Sequence, residues 1–434
     1  MQITRFKVSG YKNFTEEVEL KDLSRFTILH GPNNVGKSNL LEAMGLPFVL
    51  LGVAPEFPFG RSLRLLRKTL EEAKYPTHDL FNLRRPGPVE IEIELSLSPE
   101  EWASSGAAAP DADASTPRSP VVFHFTIDPG PPHLSWVVHR FHFGDGTDAV
   151  QDRDGQVQTR AKKLASFLAE NYLVGGGGGQ RRFQVVASAA GMGSREGVPP
   201  ELCLSLYDHQ ESANQSEYER WALFSDLMQR FTDVTGATGV RAIYNRKNDI
   251  ADLVFQMDGY RMPVRLLGTG IQQLVVLLGS LVTNGAQIVG VEEPEANLSF
   301  ALQLRLREVL RELVHDPRGP SQLFLTSHSP GFQVGPSFFF LRPQPTGGPS
   351  IHRQPAKLSY QLTGFQTVLE PAEGDSAPIS WVTPEGLLQL PPSVIGGLGL
   401  EHGGGVGFLP ADPGFQLLSN AQAIQELGLD PTDD

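Results

Sequence analysis

The chain of 434 residues has a single cysteine, Cys203. That excludes a disulfide framework, and it leaves no thiolate set for a zinc cluster within one chain. Lysine and arginine are absent beyond Lys357, while the same stretch holds ten acidic residues, the first Glu370 and the last Asp434. These ten carry most of the net charge of −13 and leave residues 1–357 near −3. A segment of that balance cannot hold a phosphate backbone by counterion release, so any DNA contact belongs to residues 1–357. Long apolar runs are also lacking. The longest, Leu274 to Val282, is too short to span a bilayer. The N-terminal stretch MQITRFKVSGYKNF has no apolar signal-peptide core. The expectation is a soluble, cytoplasmic protein with no membrane association.

What is present is glycine and proline, 45 and 34 residues, which implies many turns and several linkers. The length predicts two or three domains. Basic residues cluster at Arg61, Arg64, Arg67 and Lys68, at Arg84 and Arg85, at Arg181 and Arg182, and at Arg246 and Lys247. Each cluster, taken alone, reads at least as well as a solvated surface as it does as a nucleic-acid contact.

Gly31-Pro-Asn-Asn-Val-Gly-Lys-Ser38 fits the phosphate-loop pattern G-x-x-x-x-G-K-[ST]. Phe26 to His30 reads as a short buried strand before it. Ser38 to Met44 reads as the start of a helix, with Leu40, Leu41 and Met44 on one face. The chemistry needs this order. Consecutive backbone N–H groups wrap phosphates, and the helix N-terminus adds partial positive charge. Gly31, Asn33, Asn34, Gly36, Lys37, Ser38 and Asn39 are the candidate ATP-binding residues here. Lys37 neutralises phosphate oxygens, and the Ser38 hydroxyl is a candidate Mg²⁺ ligand.

Further along, Val89 to Leu95 alternates as a strand, and Ser104 to Pro120 is a low-complexity loop. Val121–Ile127 and Leu134–Phe143 make a hairpin, as do the segments flanking Asp258-Gly259. From Thr159 to about Phe231 the pattern is helical, interrupted by Gly175 to Gly179. Gln287–Val291 and Gln322–Thr326 are continuous apolar strands of a parallel sheet. Between them Leu302, Leu306, Val309, Leu310 and Leu313 recur at helical spacing.

The strand ending at Val291 runs into Glu292-Glu-Pro-Glu295. Carboxylates at that end suit a phosphate-bound Mg²⁺, one holding the metal and the next orienting or deprotonating the attacking water. The following strand ends in Thr326-Ser-His-Ser-Pro330, where His328 can meet a γ-phosphate or the water. Leu267-Gly-Thr-Gly-Ile-Gln-Gln273 opens a helix with small residues, a second anion site or a simple turn.

Together these motifs resemble the ABC-type ATPases related to RecF and SMC proteins, and among them the AAA ATPases of the overcome-lysogenization-defect group, which recur in anti-phage defence. The stretches "ITRFKVSGYKNFTEEVEL…FTILHGPNNVGKSNLLEAM", "GVEEPEANLS" and "LTSHSP" carry the resemblance, over about 1–45 and 262–335. It implies that Lys37 and Ser38 contact phosphate and Mg²⁺. It makes Glu292 the second metal carboxylate, Glu293 the general base and His328 the switch histidine. Gly268, Thr269, Gly270 and Gln272 then belong to a signature loop, which completes the site of a second subunit, and Asn297 lies on the D-loop. An ATP-dependent homodimer or higher oligomer follows. Three positions depart from the pattern. Gly268 stands where many relatives have serine. Ala296 to Phe300 lacks the usual histidines and proline. No Q-loop glutamine is identifiable.

The stretch "ISWVTPEGLLQLPPSVIGGLGLEHGGGVGFLPADPGFQLLS" resembles the swapped-hairpin domain of AbrB and SpoVT-type proteins, on Gly386, Leu390, Pro391, Leu398, Gly399, Leu400, Gly403, Val406, Phe408, Phe415 and Leu417. Its family's basic residues are missing: Ser393 to Gly397 replaces the usual Arg- or Lys-bearing helix. A chain-pairing or partner-docking role is implied, the alternative being an independent Gly-rich β-tail. Glu373-Gly-Asp375 lacks the apolar strand and paired aspartates of a two-metal nuclease site.

The sequence thus predicts an α/β protein, a P-loop ABC-type ATPase head over 1–345 with a helical insertion at about 159–235. A linker over 346–377, a small β-rich swapped-hairpin-like domain over 378–426 and an acidic tail over 427–434 complete it. The expected function is a Mg²⁺-dependent ATPase that dimerises on ATP and regulates a separately encoded effector protein, plausible in phage defence. The alternatives are a RecF-type DNA clamp and an ATP-holding scaffold with little turnover.

Overall fold

The computed structural model describes residues 1–353 except 54–59, 66–67, 69, 71–74, 76–78, 108–119, 131–133, 144–146, 149, 151–155, 173–182, 187–196, 246–249, 258, 333–336 and 345–347. Beyond these it describes 397–399, 406–410 and 415–419. The chain divides into two compact units, Met1–Ser359 and Tyr360–Asp434.

In the first unit the N-terminal half supplies β1 (Gln2–Ser9), β2 (Val18–Leu20), β3 (Phe26–His30), helix α1 (Lys37–Val53), β4 (Leu63–Arg64), β5 (Val89–Ser96) and α2 (Pro99–Ser105). Then come β6 (Val121–Asp128), β7 (Ser135–Phe143), α3 (Gln156–Tyr172) and β8 (Phe183–Val186). The remainder is α4 (Pro200–Glu211), α5 (Gln215–Gln229), α6 (Thr232–Thr235), β9 (Ala237–Asn245), β10 (Ile250–Met257), β11 (Tyr260–Pro263), α7 (Thr269–Asn284), β12 (Ile288–Glu292), α8 (Phe300–Leu313), β13 (Gln322–Ser327), β14 (Ser337–Arg342) and β15 (Ser350–Arg353).

One sheet, in the order β2-β1-β5-β6-β7-β4, is antiparallel throughout. Val89, Ile91, Ile93 and Leu95 of β5 are buried, while the glutamates between them face the other way. On that outer face Arg5 pairs with Glu19 at 2.6 Å and Glu92 at 3.0 Å. The alternation visible in the sequence is therefore a core face and an ion-paired face.

The other large sheet runs β15-β14-β3-β13-β12-β8, parallel except at β15. It is apolar on both faces. Leu29, Ile288 and Phe324 join the core around α1, whereas Ile28, Val289, Val291, Leu323 and Leu325 join the core with α4, α5, α7 and α8. This explains the continuous apolar runs.

Helix α1 lies between the two sheets. Leu40, Leu41, Ala43, Met44, Leu46 and Leu50 are all fully buried. The expected single apolar face is thus a helix buried nearly all round, as a helix between two sheets must be. It approaches the sheet at Gly290, where a Cβ would lie 2.7 Å from Leu41 Cδ1.

The structure corrects two assignments. The region read as helical, about 159–235, contains strand β8, which extends the parallel sheet beside β12. Phe183-Gln-Val-Val is too short to display a period, and only its partner strand makes it a strand. The segment read as linker, 346–377, begins with β15, paired antiparallel to β14. The turn residues before Ser350 hid a strand of four residues. Gly175–Gly179, Arg67, Arg181, Arg182, Arg246, Lys247, Glu373, Asp375, Gly386, Leu390, Pro391, Leu400, Gly403 and the acidic residues 427–434 lie outside the described residues. In the second unit, β16 (Val406–Pro410) and β17 (Phe415–Ser419) form an antiparallel hairpin, pairing Phe408 with Leu417. No described helix is long and apolar enough to cross a membrane.

Gln322 ties the two large sheets together. Fully buried at the start of β13, its amide accepts from Ile3 N–H at 2.8 Å and donates to Ile3 O at 2.8 Å and Ser24 O at 3.0 Å. Gln322→Leu orphans the buried N–H and carbonyl of Ile3, each worth about 1–3 kcal/mol when left unpaired, while Ser24 O keeps Thr27 Oγ1 at 3.2 Å. The expected loss is about 3 kcal/mol, read as a fall in the urea midpoint. An unchanged midpoint means that Ile3 has found other partners.

Candidate functional site

The register of the parallel sheet assembles the site. Ser327 pairs with His30, and Thr326 with Glu292. Three adjacent strands therefore end level, and their following loops carry residues 31–38, 327–330 and 293–297. The loops are stitched together by backbone bonds: Gly31 N–H donates to Ser327 O at 3.2 Å, and Glu293 N–H to Thr326 O at 2.9 Å.

The phosphate loop closes around its own lysine. Lys37 is only 5% exposed, and its Nζ donates to Gly31 O at 2.9 Å and Pro32 O at 3.0 Å. Burial pulls its pKa below the ordinary lysine range, while Glu293 and Glu295 act against that. Asn33, Asn34 and Ser38 are exposed, and Asn39 is half-buried. Asn34 and Gly36 have φ of 63° and 105°, which curl the loop. A Cβ at Gly36 would lie 2.4 Å from Asn13 Nδ2, so both the backbone and the space require glycine. Asn13 clamps the loop from the N-terminal sheet: its Nδ2 donates to Val35 O at 3.1 Å, and its Oδ1 accepts from Asn39 Nδ2 at 2.8 Å. Lys12 beside it has φ 45° and pairs with Glu42 of α1. A cleft of about 540 Å³ adjoins the loop, lined by Lys12, Asn13, Asn34, Phe81 and Arg84 among others.

The carboxylates divide by environment. Glu292 closes β12, half-buried. Glu293 follows with φ 42°, a left-handed backbone unusual for glutamate. Its Oε1 lies 3.4 Å from His328 Nδ1. Glu295 is 4% exposed, and its Oε1 accepts from Ser327 Oγ at 2.6 Å, His328 N–H at 2.9 Å and Ser329 N–H at 3.3 Å. It fixes the backbone that presents His328, whose ring is exposed.

The second set of predicted residues gathers around the start of α7 and the turn carrying Asn297. Gly268 is the N-cap of α7, and it and Thr269 are exposed. A Cβ on Gly270 would lie 3.6 Å from Asn297 O and 3.3 Å from Leu302 Cδ1, so this loop packs on the turn carrying Asn297. Asn297 is exposed, with φ 60°. The Gln272 side chain turns inward, its Nε2 donating to Leu267 O at 2.7 Å. Among the described residues no hydrogen bond joins residues 268–272 to the phosphate loop.

The structure brings the expected Glu293 and His328 within 3.4 Å of each other, next to Glu292, and adds residues that hold them which the sequence did not single out. Ser327 and Ser329 were visible in the motif as neighbours of His328. Asn13 gave no signal of its own. Glu295 read as a further carboxylate, and burial makes it a hydrogen-bond hub. Glu295→Ala orphans Ser327 Oγ and His328 N–H, while Ser329 N–H keeps Ser327 Oγ at 3.0 Å, and is expected to lower stability by about 2–3 kcal/mol. Glu295→Gln keeps the acceptor oxygen and loses far less. Equal urea midpoints for the two variants would refute the hub.

The comparisons bear on fold and family. The family model described as "AAA domain, putative AbiEii toxin, Type IV TA system" matches residues 53–334, beginning beyond the phosphate loop. No curated protein matches. Among solved structures, an SMC head bound to the C-terminal winged-helix domain of ScpA is 15% identical with a TM-score of 0.52, covering 83% of this chain and 100% of that one. The SMC head domain of Thermotoga maritima is 12% identical (TM-score 0.45; 82% and 99% covered). An Smc head with an extended coiled coil, bound to the C-terminal domain of ScpA derived from Pyrococcus furiosus, is 12% identical (TM-score 0.47; 83% and 98%). The first of these shows a shared α/β fold. With about two-thirds of its length matched, the chain belongs to the AAA-domain family described as putative AbiEii toxin, type IV toxin–antitoxin system.

Proposed function

We propose that this chain is a Mg²⁺-dependent ATPase whose residues 31–39 bind the phosphates and whose Glu293 acts as general base. The observation that carries this reading is the buried Lys37 ammonium, held in a glycine-bounded loop and facing Glu293 and Glu295. A phosphate group offers Lys37 better acceptors than the two carbonyls it now uses, because charge-assisted hydrogen bonds are stronger. The adjoining cleft leaves room for a nucleoside. Ser38 and Glu292 would hold Mg²⁺, which neutralises phosphate charge when bound. Among the described residues no group of three His, Cys, Asp or Glu forms a cation site by itself. That fits an ion taking most of its ligands from phosphate and water. Glu293 then orients and deprotonates a water beside His328.

The exposed Gly268, Thr269 and Asn297 support an ATP-dependent pair of copies, each presenting this surface to the other's phosphate loop. Residues 378–426 are proposed to pair chains or dock an effector, and a defence role is proposed from the sequence resemblance alone. Exposed Arg84 and Arg85, whose backbone N–H groups donate to Asn82 Oδ1 at 2.8 and 2.9 Å, favour duplex DNA as a second reading for a partner.

Lys37→Ala removes the buried cation. A loss of about 3 kcal/mol corresponds to roughly 100-fold weaker ATP binding. Calorimetry giving wild-type affinity would move the nucleotide site elsewhere. Glu293→Gln keeps the shape and removes the base. ATP should remain bound, with hydrolysis falling about 10²-fold or more and dimers accumulating. Single-turnover assays and light scattering measure this, and unchanged turnover assigns the base to another residue.

A further inference from the structure

The two sets of candidate residues meet through one side chain that neither contains. Gln303, half-buried in the first turn of α8, donates from Nε2 to Leu298 O at 2.9 Å. Its Oε1 accepts from Ser329 Oγ at 2.5 Å. One amide orientation satisfies both bonds, donor toward the carbonyl and acceptor toward the hydroxyl. On one side, Leu298 is buried beside exposed Asn297, and its N–H donates to Glu295 O at 3.1 Å. On the other, buried Ser329 follows His328, and its hydroxyl accepts from Gly331 N–H at 3.1 Å. Arg307, one turn along α8 and also buried, donates to Gly331 O at 2.7 Å. Glu295 closes the circuit through its bonds to residues 327–329. The Asn297 turn, the start of α8 and the His328 loop are thus one hydrogen-bonded body.

We infer that Gln303 is a positioning residue, locking the His328 loop to the Asn297 turn so that His328 is held in line only when that turn is. The inference rests on the ATPase reading above for its consequence, but not for the lock itself. Gln303 does not touch the phosphate loop, and Lys37 keeps all its contacts without it. Removing it therefore separates turnover from binding. It also gives the surface carrying Asn297 a direct mechanical route to His328, by a path of partly buried bonds rather than through the nucleotide.

Gln303→Leu fills nearly the same volume and breaks both bonds, and Ser329→Ala breaks one of them from the far side. Hydrogen exchange on the apo protein tests the lock. Gln303→Leu should speed exchange in both 297–299 and 327–331, and in no segment of the N-terminal sheet. Steady-state kinetics test the consequence. Gln303→Leu should lower kcat at least about fivefold with KM within about twofold. The double variant should be slower than Gln303→Leu by less than about twofold, because both changes cut one path. Unchanged exchange at either segment, an unchanged kcat, or multiplicative losses in the double variant overturns the inference. If Gln303→Leu folds poorly, Ser329→Ala carries the same kcat-against-KM test. Wild-type protein that binds ATP without turning it over overturns the ATPase reading and the catalytic consequence together, whereas the exchange result judges the lock alone.

Discussion

The pairing of β3, β13 and β12 in one register is the constraint on which the rest depends. Because Ser327 lies opposite His30 and Glu292 opposite Thr326, three loops leave the sheet at one edge. The bond from Gly31 N–H to Ser327 O fixes the spacing between two of them, and that from Glu293 N–H to Thr326 O fixes the third. In an open parallel sheet the carboxyl ends of the strands are where loops can converge on a ligand. The convergence of the candidate residues follows from that edge being level.

Backbone strain concentrates at the same place. Of the described non-glycine residues with positive φ, Lys12 precedes the clamp residue Asn13, Asn34 is in the phosphate loop, Glu293 follows the sheet edge and Asn297 faces outward. Asp22, in the turn between β2 and β3, lies away from them. Left-handed backbones cost free energy in residues with a Cβ and persist where surrounding bonds over-determine them. Here those bonds are visible: Asn13 to Val35 O, Thr326 O to Glu293 N–H, and the Glu295 and Gln303 bridges.

Legibility in the sequence followed the length and periodicity of each element. The strands Phe26–His30, Val89–Ser96, Ile288–Glu292 and Gln322–Ser327 could be read because four or more apolar or alternating positions expose a period. Phe183–Val186 could not, since it exists only by virtue of a partner distant in sequence, and Ser350–Arg353 could not, because four residues after a Pro- and Gly-rich turn show no period. The placement of the candidate residues Lys37, Glu292, Glu293 and His328 was legible because motif spacing reports the loops themselves. Their supports were not. Asn13, Glu295, Gln303 and Gln322 act through bonds to residues remote in the chain, and a polar residue in sequence gives no sign of being buried.

The bond between Gln322 and Ile3 spans 319 positions. β3 likewise meets its neighbour β13 across most of the first unit. During synthesis at about 5–20 residues per second, the phosphate loop leaves the ribosome roughly 15–60 s before β13 exists to flank it. Over that interval Phe26–His30 is an unpaired apolar strand with both edges open. The nascent chain therefore carries a long-lived sticky segment near its start, and its yield in a cell should depend on holdase chaperones more than the finished protein's stability indicates.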